Sequence, residues 1–249
     1  MRMVEDNLAL PDVDFHENAL LLDVDGTLLD IASEPGAVKS APSLVANLNR
    51  LTQRFDGTVA FLSGRTLENL DHIFAPLKLT TVACHGAVFR DPTGKVTQTK
   101  PLSPREKARL IAIAQVHPQI TVEDKDFSLA FHYRRVPQAE APLLDAVHEH
   151  IAELRENGLN ILRGKCVVEI KRTGIDKGAA LRRLMHFRPF ADRLPVFAGD
   201  DRTDEDVFAI LPQFGGTGIS VGRQIAGAAF MVHQPRDIRH WLAHLAERP

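Results

Sequence analysis

The hydrophobic pattern of the chain alternates between short apolar runs and longer segments with helical periodicity. Mainly apolar runs recur at Ala19–Leu22, Thr58–Leu62, Thr81–Cys84 and Pro195–Ala198. Such runs, without polar alternation, are typical of strands that are covered on both faces. Between them, apolar residues recur every three or four positions, as in Pro42–Phe55, which is the spacing of an amphipathic helix. This order of strands and helices predicts a parallel sheet with helices on both faces.

The pattern changes between about residue 100 and about residue 173. A helix is predicted to begin near Ser103, because Ser103–Glu106 has capping-box spacing and a proline at the first helical position. A second, longer helix is predicted over residues 139–157. Two pairs of strands are expected at 120–122, 127–133, 159–162 and 166–170, with the charged segment 123–126 as the turn of the first pair. Helix, hairpin, helix and hairpin make an α+β unit of a size that suits an inserted domain.

The alternation of strands and helices resumes after Gly174. The predicted fold class is therefore α/β, with a doubly wound, Rossmann-like parallel sheet formed by residues 1–99 and 174–249. An α+β cap domain is predicted over residues 100–173. Residues before about Phe15 are expected to form a loose lead-in, and residues 32–36 a loop.

The composition limits the classes of partner. Of the 249 residues, 44% are hydrophobic and 25% charged, and the formal net charge is −2. This balance does not favour binding to nucleic acid or to an anionic membrane. The cysteines, Cys84 and Cys166, have no metal-ligand spacing and suit a reducing compartment. Because the sequence shows neither a secretory signal nor a run long enough to span a bilayer, we expect a cytoplasmic location.

Polar residues follow three of the apolar strands. They are Asp23 and Asp25 after the first, Ser63 after the second, and Asp200 and Asp201 after the strand at 195–198. Because ligands bind outside the carboxyl ends of the strands in an open doubly wound sheet, these side chains should meet if the strands are neighbours. Like charges placed together are costly unless a cation, a proton or a reacting group compensates for them. Oxygen ligands with room for water suit Mg2+.

Two further features indicate an anion beside this metal. Ser63 and the amide of Gly64, at a predicted helix start, offer hydrogen-bond donors to an anion. Lys177, at the start of another predicted helix, adds a positive charge. A metal, anion donors and a spare carboxylate together fit phosphoryl transfer, in which positioning and charge neutralisation provide most of the catalysis.

Each of these features has a simpler explanation when it is taken alone. An isolated Asp-x-Asp is more often a turn or a helix cap than a reaction site. Ser and Gly before a helix are good capping residues, and residues 200–206 could be a solvated helix start. Lys177 alone would be a surface charge. The occurrence of all these features in order, each at a strand end or helix start, favours a shared site.

Together these segments resemble the four motifs of the haloacid dehalogenase-like (HAD) phosphatases. The matching stretches are Asp23–Leu28, Ser63–Arg65, Lys177 and Gly199–Asp206. The resemblance implies that Asp23 is the nucleophile and forms an aspartyl-phosphate. It also implies that Asp25 protonates the leaving oxygen and then deprotonates the attacking water.

The same resemblance implies which groups surround the phosphoryl group. Mg2+ would be held by the side chains of Asp23 and Asp200 and the backbone carbonyl of Asp25, with Asp201 and Asp204 as ligands or close by. Ser63, Gly64 and Lys177 would hold the phosphoryl group, and Lys177 would count among the catalytic residues.

The inserted domain resembles that of the trehalose-phosphate phosphatase family. The matching stretches are Glu123–Lys125, Phe127–Ser128, His132–Arg134, Gly164–Glu169 and Asp176–Gly178. The resemblance implies that five cap residues bind sugar hydroxyls: Glu123, Lys125, Arg134, Lys165 and Glu169. Charged side chains suit this role, because they make stronger hydrogen bonds than neutral ones. The alternative is a salt-bridged, solvated hairpin face.

The implied activity is Mg2+-dependent hydrolysis of trehalose 6-phosphate to trehalose and phosphate. The expected partner is a small sugar phosphate, and a monomeric state is compatible with the sequence. Two alternatives stay open. One is a HAD phosphatase for another sugar phosphate, such as sucrose or mannosylglycerate phosphate. The other is a non-catalytic sugar-phosphate-binding protein, although the intact Asp23, Asp25, Lys177 and Asp200 argue against it.

Overall fold

The computed structural model describes residues 10–30, 40–164 and 166–248 of the 249-residue chain. The expected lead-in lies partly outside the described residues, and the expected loop at 32–36 lies wholly outside them. The chain forms two compact units, Met1–Gln98 with Asp176–Pro249, and Thr99–Ile175. Among the described residues, no helix combines the length and the apolar character that crossing a bilayer requires.

Strands and helices alternate along most of the chain. The strands are β1 (Asn18–Leu22), β2 (Val59–Leu62), β3 (Thr80–Ala83), β4 (Val88–Arg90), β5 (Val96–Gln98), β6 (Thr121–Asp124), β7 (Ser128–His132), β8 (Leu159–Gly164), β9 (Val167–Arg172), β10 (Leu194–Gly199), β11 (Thr217–Val221) and β12 (Phe230–Val232). The helices are α1 (Pro42–Arg54), α2 (Leu67–Ile73), α3 (Pro104–Ala114), α4 (Glu140–Glu149), α5 (Ile151–Glu156), α6 (Lys177–Leu184), α7 (Glu205–Phe208) and α8 (Pro235–Glu247).

The larger unit contains an eight-stranded sheet in the order β12-β11-β10-β1-β2-β3-β4-β5. The six strands from β12 to β3 are parallel, and β4 and β5 add an antiparallel edge. β1 lies in the middle, paired on one side with β10 and on the other with β2. The predicted α/β class with a parallel core is therefore confirmed.

The central strand is apolar because both of its faces are covered. Ala19 and Leu21 pack in one cluster with residues of α6 and α7, such as Leu181 and Phe208. Since side chains alternate along a strand, Leu20 and Leu22 point to the opposite face, and these four residues of β1 are fully buried. The sequence run therefore marks the strand on which the sheet is centred.

The smaller unit contains a four-stranded antiparallel sheet in the order β6-β7-β9-β8. One face of this sheet packs on α3 and α4 through buried residues such as Leu110, Phe131, Leu143 and Ile170. α3 begins as its sequence predicts, because Ser103 and Glu106 form a reciprocal capping box. The two predicted hairpins join through β7 and β9 into one sheet.

Two predicted elements of the smaller unit differ from the structure. The long helix over 139–157 is divided into α4 and α5 at His150, whose ring lies 3.0 Å from the Ala146 carbonyl. The His150 amide instead bonds to Val147, so the side chain competes with the helical hydrogen bond. The turn predicted over 123–126 begins later, since Glu123 and Asp124 belong to β6.

One predicted helix of the larger unit is also shorter. The predicted helix covers residues 204–211, but only Glu205–Phe208 form α7, a single turn, and a 3-10 turn follows at Leu211–Phe214. Pro212 lies within this second turn, and a proline cannot continue an α-helical hydrogen-bond ladder. The break therefore has a local cause.

Candidate active site

The sequence-predicted site residues of the larger unit follow three adjacent parallel strands. β1 pairs with β10 and with β2, so Asp23, Ser63 and Asp200 follow strands that end at the same edge of the sheet. The Asp23 amide donates to the Ala198 carbonyl at 2.9 Å, which extends the β1–β10 ladder by one residue. The condition for convergence, that the strands be neighbours, is met.

A buried lysine joins two of the carboxylates. Lys177 Nζ lies 2.6 Å from Asp23 Oδ1 and 2.7 Å from Asp204 Oδ1. The exposed fractions of these residues are 2% for Lys177, 4% for Asp23 and 0% for Asp204. Lys177 is the first residue of α6, and Asp176 caps that helix by accepting from the Ala179 amide at 2.6 Å. The helix start therefore places the ammonium group beside Asp23.

Asp204 uses both carboxylate oxygens within the protein. Oδ1 accepts from Lys177, and Oδ2 accepts from the backbone amides of Asp200 and Asp201 at 2.9 and 3.1 Å. A Cβ at Gly199 would lie 2.6 Å from the Asp204 carboxyl carbon, so only glycine fits there. Asp204 thereby fixes both the lysine and the loop that carries Asp200.

The turn after β1 brings Gly26 and Thr27 against Asp200. Thr27 Oγ1 donates to Asp200 Oδ1 at 3.2 Å. Gly26 has a φ of +79°, and a Cβ at this position would lie 2.1 Å from Asp200 Oδ2. The position therefore requires glycine both for its conformation and for the space that Asp200 occupies.

Asp25 is held by an arginine that the sequence prediction left without a role. Arg65 Nε and one terminal nitrogen each lie 2.6 Å from an oxygen of Asp25, which is a bidentate pair. The other terminal nitrogen donates to Asn69 at 2.5 Å. The Arg65 side chain is 11% exposed and that of Asp25 41%. Asp25 thus lies at the open side of the site with a fixed carboxylate.

Ser63 is buried, and its hydroxyl accepts from the Arg65 amide at 3.2 Å. Gly64 was predicted to lie at a helix start, and this prediction is wrong. α2 begins only at Leu67, because Thr66 caps it by accepting from the Asn69 amide at 3.2 Å. The Gly64 amide is thus not one of the helix N-terminal donors. A Cβ at Gly64 would lie 2.5 Å from the His85 ring, so the histidine ring packs directly against this turn.

The electrostatics reflect an excess of buried negative charge. Burial raises the pKa of Asp23 to about 6, against the effect of the Lys177 charge. Burial, followed by the charges of Asp204 and Asp201, raises the pKa of Asp200 to about 6. Burial and the charge of Asp23 raise the pKa of Asp204 to about 7.

The pKa values of the two other charged groups, Lys177 and Asp201, shift in the direction that favours their charged forms. Burial lowers the pKa of Lys177, but the charges of Asp23 and Asp204 outweigh it and raise that pKa overall. Burial acts to raise the pKa of Asp201, but Lys177 and hydrogen bonds from Thr203 lower it overall. The lysine is therefore a permanent cation among four aspartates.

The acidic groups could hold a metal ion. Asp23, Asp200 and Asp204 each offer one oxygen within 4.8 Å of the others. Because both oxygens of Asp204 already accept hydrogen bonds, Asp23 and Asp200 are the better ligands. Carboxylate oxygens are the ligands of hard cations such as Mg2+ and Ca2+. The residues present therefore fit a divalent cation.

Three of the predicted sugar-binding residues lie together on the smaller unit. Lys125 Nζ lies 3.9 Å from Glu123 Oε2 and 3.9 Å from Glu169 Oε2. Arg134 is exposed and follows the end of β7, and within the described part of the chain no ion pair joins it to the other three. Lys165 lies outside the described residues.

Sequence reasoning did not assign roles to several residues that contact the predicted ones. Arg65 and Thr27 contact Asp25 and Asp200, and His132 and Ser128 contact Glu123 and Glu169. All four belong to the stretches that carry the family resemblance. Their place in these stretches was the only sign in the sequence that they belong to the site. Which partner each residue binds is visible only in the folded chain.

The comparison with known families identifies the family of this chain. Residues 21–228 match the family model described as trehalose-phosphatase, which is more than half of the chain. The chain belongs to the trehalose-phosphatase family. This family assignment confirms the resemblance that the motifs indicated and makes the chain a member of a family of phosphoric monoester hydrolases.

Individual relatives agree with this assignment. A probable trehalose-phosphate phosphatase of Sinorhizobium fredii is 36% identical over 220 residues, covering 88% of this chain and 83% of that protein. The trehalose-6-phosphate phosphatase of Escherichia coli K12 is 33% identical over 227 residues, covering 90% of this chain and 85% of that protein.

Solved structures share the fold at lower sequence identity. A crystal form of Aspergillus fumigatus trehalose-6-phosphate phosphatase matches with a TM-score of 0.74 and 23% identity, covering 96% of this chain and 99% of that one. A HAD-superfamily phosphatase of Bacteroides thetaiotaomicron matches with a TM-score of 0.62 and 17% identity, covering 95% of this chain and 97% of that one. These matches support the HAD fold of the chain.

We predict that Gly26→Ala impairs the site beyond its effect on stability. Gly57→Ala is the matched control, because Gly57 has a φ of +83° but a Cβ there would meet no atom of the described residues within 4 Å. Each variant should lose about 1–2 kcal/mol of unfolding free energy from the left-handed backbone. Only Gly26→Ala must also displace Asp200, so its phosphatase activity should fall about a hundredfold. Equal activity in the two variants would contradict the required close approach.

We also predict that the metal-free protein loses stability as the pH rises from about 4.5 to about 7. Asp23, Asp200 and Asp204 have folded-state pKa values raised to about 6, about 6 and about 7. The folded state therefore binds more protons than the unfolded state in this window, and ionisation weakens folding. The slope should approach about 1.4 kcal/mol per pH unit for each such group.

Urea unfolding in EDTA at a series of pH values measures this effect. Asp200→Asn removes one of the three groups and should flatten the profile. Stability that rises across the same pH window would show that the buried charges are already compensated without a cation.

Proposed function

We propose that this protein hydrolyses trehalose 6-phosphate to trehalose and phosphate. The observation that carries the proposal is the pairing of Asp23 with the buried Lys177 at the end of the central strand. Family membership supports the substrate, since the relatives from S. fredii and E. coli are named as phosphatases of trehalose phosphate.

Asp23 is proposed as the nucleophile. Lys177 holds Oδ1, which leaves the other carboxylate oxygen to attack phosphorus. Attack forms the aspartyl-phosphate and breaks the bond between phosphorus and the sugar oxygen. Water then attacks the same phosphorus, which releases phosphate and restores the carboxylate. The ammonium group favours the anionic form of Asp23 and would neutralise charge on the phosphoryl oxygens.

Asp25 is proposed to carry the proton between these two steps. It would donate to the departing sugar oxygen and later accept a proton from the attacking water. Its bidentate pair with Arg65 holds the group in one orientation, and donation requires that one of these hydrogen bonds be released. The partial exposure of Asp25 supports this role, because a substrate oxygen could approach the carboxylate.

The side chains of Asp23 and Asp200, with the backbone carbonyl of Asp25, are proposed to hold Mg2+. Bound there, Mg2+ would neutralise the charge that develops on the phosphoryl oxygens. Asp201 and Asp204 are proposed to support the metal ligands from positions close to them. Asp204 suits this role because it binds Lys177 and two backbone amides. Ser63 is proposed to hold the phosphoryl group together with Lys177, and the Gly64 amide would assist as a loop donor.

The smaller unit is proposed to serve as the cap domain that selects the sugar. Glu123, Lys125 and Glu169 form a charged group on one sheet, which suits a ligand dense in hydroxyls. Arg134 and Lys165 are assigned to the same role on the family resemblance alone. We further propose a cytoplasmic enzyme that acts on a small-molecule sugar phosphate and needs neither nucleic acid nor a membrane.

Two alternatives remain as competing proposals. A phosphatase for another sugar phosphate, such as sucrose or mannosylglycerate phosphate, would use the same larger unit. A non-catalytic sugar-phosphate-binding protein would not need Lys177 between two carboxylates, and that buried bridge favours an enzyme.

A panel of sugar phosphates separates these proposals. We expect phosphate release from trehalose 6-phosphate to exceed release from sucrose, mannosylglycerate and glucose phosphates, and to require Mg2+. EDTA should abolish the activity and Mg2+ should restore it. A higher kcat/KM for another sugar phosphate would overturn the assignment of trehalose 6-phosphate as the substrate. The absence of any phosphate release with Mg2+ would favour a binding protein.

The nucleophile has a separate test in Asp23→Asn. The amide cannot form the aspartyl-phosphate, so we expect kcat to fall at least about a thousandfold. Asp30→Asn is the control, because the Asp30 side chain is 74% exposed and follows the same turn. Circular dichroism should show that both variants fold. Phosphate release by Asp23→Asn at the wild-type rate would exclude Asp23 as the nucleophile.

A further inference from the structure

The smaller unit has one polar sheet face, defined by its register. Glu123 lies opposite Ala130 in the β6–β7 pair, and Ala130 lies opposite Glu169 in the β7–β9 pair. These three residues form one row across the sheet, and residues two positions away share their face. Ser128 and His132, which flank Ala130 on β7, therefore lie on the same face as the two glutamates.

Each glutamate on this face contacts one polar side chain of β7. His132 Nε2 lies 2.9 Å from Glu123 Oε2. Ser128 Oγ donates to Glu169 Oε1 at 2.5 Å. Of these two contacts, the serine contact is the more sheltered from water, since Ser128 is 5% exposed, whereas the His132 side chain is 41% exposed.

The Ser128 bond gives the two oxygens of Glu169 different surroundings. Oε1 accepts from the buried hydroxyl, and Oε2 faces Lys125 at 3.9 Å, beyond direct hydrogen-bond distance. The Glu169 side chain is 22% exposed. A carboxylate has about four acceptor sites, so Oε2 retains capacity for a hydroxyl donor.

We propose that Ser128 is a positioning residue for sugar recognition, acting through Glu169. Its hydroxyl fixes the rotation of the Glu169 carboxylate, so that Oε2 is presented with Lys125 to a sugar hydroxyl. Without Ser128 the carboxylate loses its short hydrogen bond and can rotate about its terminal torsion, which has broad preferences. This inference rests on the proposed function, since it assumes that Glu169 contacts the sugar.

The test compares Ser128→Ala with the wild type on the best sugar phosphate of the panel and on p-nitrophenyl phosphate. We expect KM for the sugar phosphate to rise about fivefold with kcat nearly unchanged, because the lost interaction binds ground state and transition state alike. Kinetics on p-nitrophenyl phosphate should stay unchanged, since it has no sugar. Inhibition by free trehalose should weaken by the same factor as KM rises.

Tyr133→Phe is the matched control within the smaller unit. The Tyr133 hydroxyl also donates to a carboxylate, Glu140 Oε1 at 2.8 Å, but Tyr133 belongs to the apolar cluster of this unit. We expect the control to leave KM for the sugar phosphate within twofold of the wild type. An equal rise in both variants would show a general loss of packing and would overturn the positioning role.

A double-mutant cycle shows whether Ser128 acts through Glu169. Glu169→Met removes the acceptor, so adding Ser128→Ala to it should change kcat/KM by less than twofold. Additive losses, an unchanged KM in Ser128→Ala, or an equal loss on p-nitrophenyl phosphate would each overturn the inference. Absence of phosphatase activity in the wild type would instead overturn the proposed function, so the two failures are distinguishable.

Discussion

The larger unit depends on one buried ammonium group between two carboxylates. A buried carboxylate without a partner is strongly destabilising, and Lys177 supplies that partner to both Asp23 and Asp204. Asp204 in turn binds the amides that hold Asp200 in place. One cation cannot compensate for all the aspartates of the site, which is why burial raises the pKa values of three of them. The same deficit of positive charge makes the site suitable for a divalent cation.

This arrangement requires close approach of backbone segments from distant parts of the chain. A Cβ at Gly26, Gly199 or Gly178 would lie between 2.1 and 2.6 Å from an atom of Asp200, Asp204 or Asp206. Such distances are shorter than any normal non-bonded contact. Because glycine has no side chain, each of these positions leaves room for an acidic side chain or its backbone. The turn after β1, the loop after β10 and the start of α6 therefore share one small volume. Their glycines belong to the geometry of the candidate site as much as the charged side chains do.

Much of the fold was predictable because strands and helix starts are local. The apolar run at Ala19–Leu22 indicated the central strand, and Ser103 with Glu106 indicated the start of α3. The helix bounds that were predicted wrongly also have local causes. His150 interrupts the predicted long helix through its own side chain, and Thr66 caps α2 two residues after Gly64. In both places a side-chain hydrogen bond decided between backbone conformations that the apolar pattern did not distinguish.

The sequence by itself determined the α/β class, the family and the chemical groups of the candidate site, because periodicity and motif order are properties of residues near each other in the chain. The tertiary structure decided which groups meet. Lys177 lies 154 residues from Asp23, Arg65 lies 40 residues from Asp25, and Ser128 lies 41 residues from Glu169. Each of these pairs depends on strand register and on the path of the loops. A hydrogen bond also requires that the donor–acceptor distance fall within a range of a few tenths of an ångström. No local pattern specifies positions across such separations, so these partners followed only from the folded chain.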